Sequence, residues 1–220
     1  MSKKTFIFDL DGVIVDTAKF HFIAWKNLAE GLGIPFSEEQ NEQLKGVSRI
    51  VSLEKILAWG NKEISSADFE ALLVSKNEEY LKYVHQMDES EILPGVLERL
   101  QQLKNENYKV ALGSASKNAR LILEKVGLMP YFDEIVDGNE VTKAKPDPEV
   151  FLKAASLLGS EPKDCIVFED SLAGVQAANT AKMLSVGVGD ANILNEADFN
   201  IQTFEDIDNQ LWEALLSTTK

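Results

Sequence analysis

Cysteine is almost missing from this sequence: Cys165 is the only one in 220 residues, so no disulfide can form within the chain. It lies in the apolar run CIVF, where it reads as a small core residue rather than a reactive thiol, a usage that fits a reducing cytoplasm. Positive charge is also scarce. Against 36 Asp and Glu there are 22 Lys and Arg, and the balance of −14 repels a nucleic-acid backbone or an anionic membrane over most of the surface, so neither is an expected partner. No apolar run approaches the ~18 residues of a membrane span. The opening MSKK passes directly into a strand-like segment without a secretory apolar region, so the expectation is a cytoplasmic protein. Internal repeats and low-complexity tracts are absent too. Apolar residues are not scarce: at 45% they suffice to bury a core. If the substrate is a small anion, the site must gather local Lys, Arg or a metal ion against an acidic background.

Short apolar runs recur at TFIF (5–8), YKVALG (108–113), EIVD (134–137), CIVF (165–168) and LSVGVG (184–189). Helical patterns separate the later ones: PGVLERLQQLKNEN, NARLILEKVGL and PDPEVFLKAASLLG, the last with Pro near its start and Gly at its end. Strands alternating with helices predict an α/β fold with a parallel sheet covered on both faces. From about 16 to 87 the rhythm breaks into amphipathic stretches such as AKFHFIAWKNLAEGLG and ADFEALLVSKNEEYLKYV without a strand. An all-helical cap, 16–87, inserted into a discontinuous core, 1–15 and 88–220, accounts for this. The tail, FNIQTFEDIDNQLWEALLS, reads as an edge strand and a helix.

In open α/β sheets ligands gather beyond the carboxyl ends of strands. Asp9 and Asp11 follow the first strand, GSASKN the second, and Glu169 and Asp170 the CIVF strand, while TKAKPDP precedes a helix. Alternation places Asp9 and Asp11 on one side of an extended chain, where they repel unless a cation or shared proton intervenes. Clustered carboxylates at strand ends make a hard-cation site suited to Mg²⁺; Asp11 or Asp170 alone reads first as a turn or cap residue, and four carboxylates at two strand ends reverse that preference. Ser114 with the amides that follow makes an anion cradle, and Ser116 can serve as a helix cap. Lys143 or Lys145 supplies positive charge, or is simply solvated.

The order DLDG, the Ser-containing turn, the lysine of KPDP and then FEDS resembles the four motifs of the haloacid dehalogenase superfamily, over nearly the whole chain. That resemblance implies a Rossmann-like parallel sheet core with an inserted all-helical cap domain. It also implies an aspartyl-phosphate on Asp9 and acid/base work by Asp11. Ser114 and Lys145 would sit against the phosphoryl group, and Mg²⁺ would be held by Asp9, Asp11 through its main-chain carbonyl, Glu169 and Asp170. The second acidic residue, Asp11, argues for phosphate rather than halide chemistry.

Three longer runs, FDLDGVIVDTAKFHFIAWKNLA, NEQLKGVSR and GSASKN, are more particular and resemble the β-phosphoglucomutase family. By that likeness the reaction interconverts β-D-glucose 1-phosphate and glucose 6-phosphate through β-glucose 1,6-bisphosphate. Thr17 and His21, four apart on one helix face, would govern Asp11 and cap closure. Arg49 would clamp the distal phosphate, and Gly46, Val47 and Ser48 would approach the sugar. Lys76, Ala115, Ser116, Lys117 and Asn118 would complete the distal contacts, with Trp25 and Ser52 also facing substrate. From the residues alone, His21 reads as a partly buried helix residue, Arg49 as a solvated charge and Trp25 as cap core. Gly113 before Ser114 and Asp147 in KPDP depart from the pattern, with consequences confined to loop detail. The alternatives are a sugar-phosphate phosphatase with the same core motifs, and a retired phosphate-responsive binding protein, against which both aspartates speak. A small-molecule phosphosugar is the expected partner and a monomer the expected state.

Overall fold

The computed structural model describes residues 3–220. Strand β1 (Thr5–Phe8) is buried at every position, as a strand covered on both faces must be. Four helices follow before the α/β alternation begins: α1 (Ala18–Gly31), α2 (Glu38–Glu42), α3 (Arg49–Trp59) and α4 (Ser66–Val84). Serines begin three of them. Ser37, Ser48 and Ser65 each accept a hydrogen bond from an amide in the first turn, and Gln40 completes a capping box with Ser37. Between these helices Trp25, Ala29, Ile34, Leu53, Ile56 and Leu73 bury one another in an apolar cluster of their own.

The rest of the chain alternates: α5 (Val96–Asn105), β2 (Lys109–Gly113), α6 (Ala119–Lys125), β3 (Glu134–Val136), α7 (Glu149–Leu157), β4 (Cys165–Glu169), α8 (Leu172–Thr180), β5 (Leu184–Val188), β6 (Phe199–Ile201) and α9 (Asn209–Ser217). All pairings are parallel and the sheet order is β3-β2-β1-β4-β5-β6. The period-2 pleat sorts the strand residues. Phe6, Phe8, Val110, Leu112, Ile166 and Phe168 pack on the face carrying α5, α6 and α9, whereas Ile7, Ala111 and Val167 pack on α7 and α8. Phe8 and Phe168 stack at 4.9 Å between ring centroids. Cys165 is buried, and burial pushes its thiol up to about 12, so it is the inert core residue expected. No helix among the described residues is long and apolar enough to cross a membrane.

Register decides where the chemistry falls. Phe8 lies opposite both Leu112 and Phe168, so β1, β2 and β4 end level with one another. The residues that follow emerge side by side beneath the helical segment.

Candidate active site

Asp9 continues the ladder by donating its amide to the Phe168 carbonyl at 3.0 Å, which fixes its side chain beside that of Glu169. The chain then turns instead of staying extended. The amides of Val13, Ile14 and Val15 all reach the Leu10 carbonyl, and Gly12 takes φ +76°. A Cβ there would also run into the Asp170 carboxylate, so glycine serves both the turn and the close approach. This corrects the extended reading of the two aspartates: each has its own partner. Asp9, 4% exposed, accepts a hydrogen bond from Lys145 Nζ at 2.6 Å; Asp11 accepts one from the Thr17 hydroxyl.

Lys145 also donates to Glu169 Oε2 at 2.7 Å, and the other Glu169 oxygen accepts from the amide and hydroxyl of Ser171. Burial raises the Asp9 carboxyl well above the usual carboxylate range; Lys145 opposes this, and Glu169, Asp11 and Asp170 reinforce it. Burial works against the charge on Lys145, but Asp9 and Glu169 outweigh it and the lysine rises above its ordinary value. Burial, then Glu169, pushes Asp170 up to about 7, although Lys45 lies 3.4 Å away. The carboxylates therefore outnumber the cations close to them. Oxygens of Asp9, Glu169 and Asp170 lie within 4.8 Å of one another, a hard donor set with surplus negative charge of the kind a divalent cation relieves. The Asp11 carboxylate stands apart from that trio, turned toward the helices.

There His21 Nε2 is 3.9 Å from Asp11 Oδ1, while His21 Nδ1 is 2.8 Å from Lys76 Nζ. Burial, then Lys76 and Arg49, hold His21 well below its ordinary pKa, so the ring is neutral. With Lys76 as an ammonium, which can only donate, Nδ1 is the acceptor and the ring proton lies on Nε2, facing Asp11. Burial, opposed chiefly by Thr17, raises Asp11 itself.

One cavity of about 400 Å³ joins these parts. Core residues form its floor, among them Asp9, Asp11, Ser114, Lys145 and Asp170. Gly46, Val47, Ser48, Arg49, Ser52, Lys76, His21 and Trp25 form its roof, and Ala115, Ser116, Lys117 and Asn118 one wall. Thr17 and Glu169, fully buried, stand behind the lining and orient Asp11 and Lys145. Arg49 and Lys76 form no ion pair among the described residues, which leaves two cationic groups lining the cavity besides Lys145.

Some positions differ from expectation. Ser116 does not cap α6: Asn118 occupies the cap position, and the hydroxyls of Ser114 and Ser116 instead accept from the amides of Ser116 and Asn118 in a tight turn. Ser48 spends its hydroxyl as acceptor capping α3. Asn118 donates to Asn77 at 3.0 Å, tying the wall to α4. Three polar residues escaped the sequence reading: Lys45 beside Asp170, Ser171 beneath Glu169, and Tyr80 under His21. Lys45 stands next to Gly46 in KGVSR and Tyr80 lies one helical turn after Lys76, so adjacency was the available signal.

Residues 3–182 match the family model of the haloacid dehalogenase-like hydrolases. The chain is 43% identical over 216 residues to the β-phosphoglucomutase of Bacillus subtilis (strain 168), covering 96% of each. It is 34% identical over 184 residues to a phosphorylated carbohydrates phosphatase of Thermotoga maritima, covering 80% of each. The crystal structure of the β-phosphoglucomutase from Clostridium difficile superposes with a TM-score of 0.93 at 39% identity, over 98% of this chain and 97% of that one.

Proposed function

The chain belongs to the haloacid dehalogenase-like hydrolase family, and on that footing we propose that it interconverts β-D-glucose 1-phosphate and glucose 6-phosphate through an aspartyl-phosphate on Asp9 and β-glucose 1,6-bisphosphate. The observation that carries this reading is a single cavity lined by the Asp9–Lys145 pair from the core and by Arg49 and Lys76 from the helical segment, two cations with no ion-pair partner among the described residues. A sugar bearing two phosphates suits those two sets of groups: one phosphate is transferred while the other is held.

In this mechanism the Asp9 carboxylate attacks phosphorus in line, needing no deprotonation when ionised. Lys145 and the Ser114 turn take the charge on the equatorial oxygens. Asp9, Glu169, Asp170 and the main-chain carbonyl of Asp11 are the groups that would hold Mg²⁺, which when bound supplies further neutralisation of the transferring phosphoryl group. Asp11, its carboxyl raised toward the working pH, protonates the leaving oxygen and later deprotonates the acceptor hydroxyl. Thr17 and His21 hold the Asp11 carboxylate between them, the hydroxyl donating to it and the imidazole 3.9 Å away. Arg49, as a bidentate fork, and Lys76 bind the distal phosphate, with Lys117 and Asn118 along the wall; Gly46, Val47, Ser48, Ser52, Trp25, Ala115 and Ser116 shape the space for the sugar. The cap, 16–87, closes on the core, 1–15 and 88–220, and excludes water. The chain acts as a cytoplasmic monomer on a small phosphosugar.

A hydrolytic reading uses the same floor, and the likeness to the Thermotoga maritima phosphatase favours it. The decisive experiment supplies β-glucose 1-phosphate, Mg²⁺ and a trace of β-glucose 1,6-bisphosphate and follows glucose 6-phosphate and free phosphate together. Glucose 6-phosphate in large excess is the expected result; mostly free phosphate would establish the phosphatase instead.

A further inference from the structure

Tyr80 has no part in the chemistry described above, yet it lines the cavity and is only 1% exposed. Its ring stacks on the His21 imidazole at 4.2 Å between centroids and 29° between planes. The same ring lies 4.7 Å from Lys76 Nζ, which is 4.6 Å from the Trp25 ring on its other side. Lys76 is 2% exposed and has no carboxylate partner among the described residues, so its surroundings are two aromatic faces and the His21 nitrogen. Burial and Arg49 weigh against its charge, and the negative faces of the rings offset part of that.

The Tyr80 hydroxyl is buried close to Thr17 and Asp11 but completes no well-formed hydrogen bond among the described residues. The ring makes the close contacts, to His21 and to Lys76, and these are what join Tyr80 to its neighbours. Tyr80 follows Lys76 by one turn of α4, which stacks the two on one helix face, and α1 brings His21 across to them.

We propose that Tyr80 is a positioning residue whose ring clamps His21 and Lys76 as one unit, keeping the Nε2 proton of His21 directed at Asp11 when the cap is closed. The inference deepens the mutase reading of this site and rests on it. Without the clamp, His21 and Lys76 would move independently, Asp11 would meet water as readily as sugar, and more of the aspartyl-phosphate would hydrolyse.

The test compares Tyr80→Phe, Tyr80→Leu and Tyr80→Met, each checked by thermal unfolding, in the paired assay for glucose 6-phosphate and free phosphate. Tyr80→Phe should keep the product ratio within about twofold, whereas the two ringless variants should shift it toward free phosphate by about thirtyfold, the scale of a lost desolvated cation–π contact. Their hydrolysis of acetyl phosphate should persist. An unchanged ratio in a folded ringless variant, or a Phe variant as impaired as the Leu variant, overturns the clamp. His21 is one of only two histidines, so its imidazole proton resonances give a readout that needs no turnover. Upfield ring-current displacement, present in the parent and the Phe variant and lost in Leu and Met, supports the clamp; equal shifts in all four overturn it. Mostly free phosphate from the parent enzyme would count against the mutase reading, while the resonances would still decide the clamp.

Discussion

Lys145 answers two buried carboxylates at once, Asp9 at 2.6 Å and Glu169 at 2.7 Å. Replacing it by Ala would leave both without that cation, and breaking a buried pair in this way costs roughly 3–5 kcal/mol. The sign of the pH dependence follows. The lysine stabilises only an ionised carboxylate, so the deficit of Lys145→Ala should be largest near pH 8 and shrink as acid protonates Asp9. Thermal unfolding at the two extremes checks it, and a deficit independent of pH would remove the ion pair from the account. Asp9→Asn keeps the shape but removes the attacking oxygen anion, so both mutase and phosphatase turnover should fall by at least ~10³-fold. Normal turnover would take Asp9 out of its assigned role. Asp9 and Glu169 were legible because they stand at the ends of strands that announce themselves by apolar run, and a strand end fixes its neighbour in space; Lys145 was legible only as a lysine in the KPDP run ahead of a helix. Tyr80 was not. Its only local signal is an aromatic one turn after Lys76, and the ring it stacks on, His21, comes from α1, some sixty positions earlier.

At the scale of elements, the loop ahead of α3 packs the helical segment against the turn between β4 and α8. Gly46, at φ +70°, lies so near Ser171 that a Cβ would strike its hydroxyl, and Lys45 reaches Asp170 from the same loop. Ser48 caps α3 and so sets the direction in which Arg49, the first helical residue, leaves the loop. Arg49→Ala should therefore lower mutase turnover by about 10²-fold while acetyl phosphate hydrolysis, which lacks a distal phosphate, changes by about threefold or less. Equal losses would argue against a distal clamp. The α/β alternation and the helical insertion could be read from periodicity, since runs of 4–6 apolar residues and 3.6-residue patterns are local properties. The cap of α6 could not. Two serines and an asparagine compete there, and the tight turn in which Ser114 and Ser116 accept successive amides leaves the cap position to Asn118.

Across the whole molecule, an excess of 14 negative charges surrounds a site that must bind phosphate, and three carboxylates converge within it. Asp170 is pushed up to about 7 from an ordinary value of 3.8, so in the metal-free protein its ionisation opposes folding progressively above pH ~4, and fully above ~7. At pH 8 a bound divalent cation reverses that sign. Mg²⁺ at a hundredfold over its dissociation constant stabilises by about 2.7 kcal/mol, which for a chain of this size raises the unfolding midpoint by roughly 5–10 °C. Asp170→Asn separates the two effects. Without metal the variant should unfold no lower than the parent, because it loses a repelled charge; with Mg²⁺ it should gain little. Excess chelator should stop turnover of the parent, and added Mg²⁺ should restore it. Turnover that persists in chelator, or an unfolding midpoint indifferent to Mg²⁺ in the parent, would mean that Lys145 alone neutralises this site and that the converging carboxylates serve the fold rather than a metal.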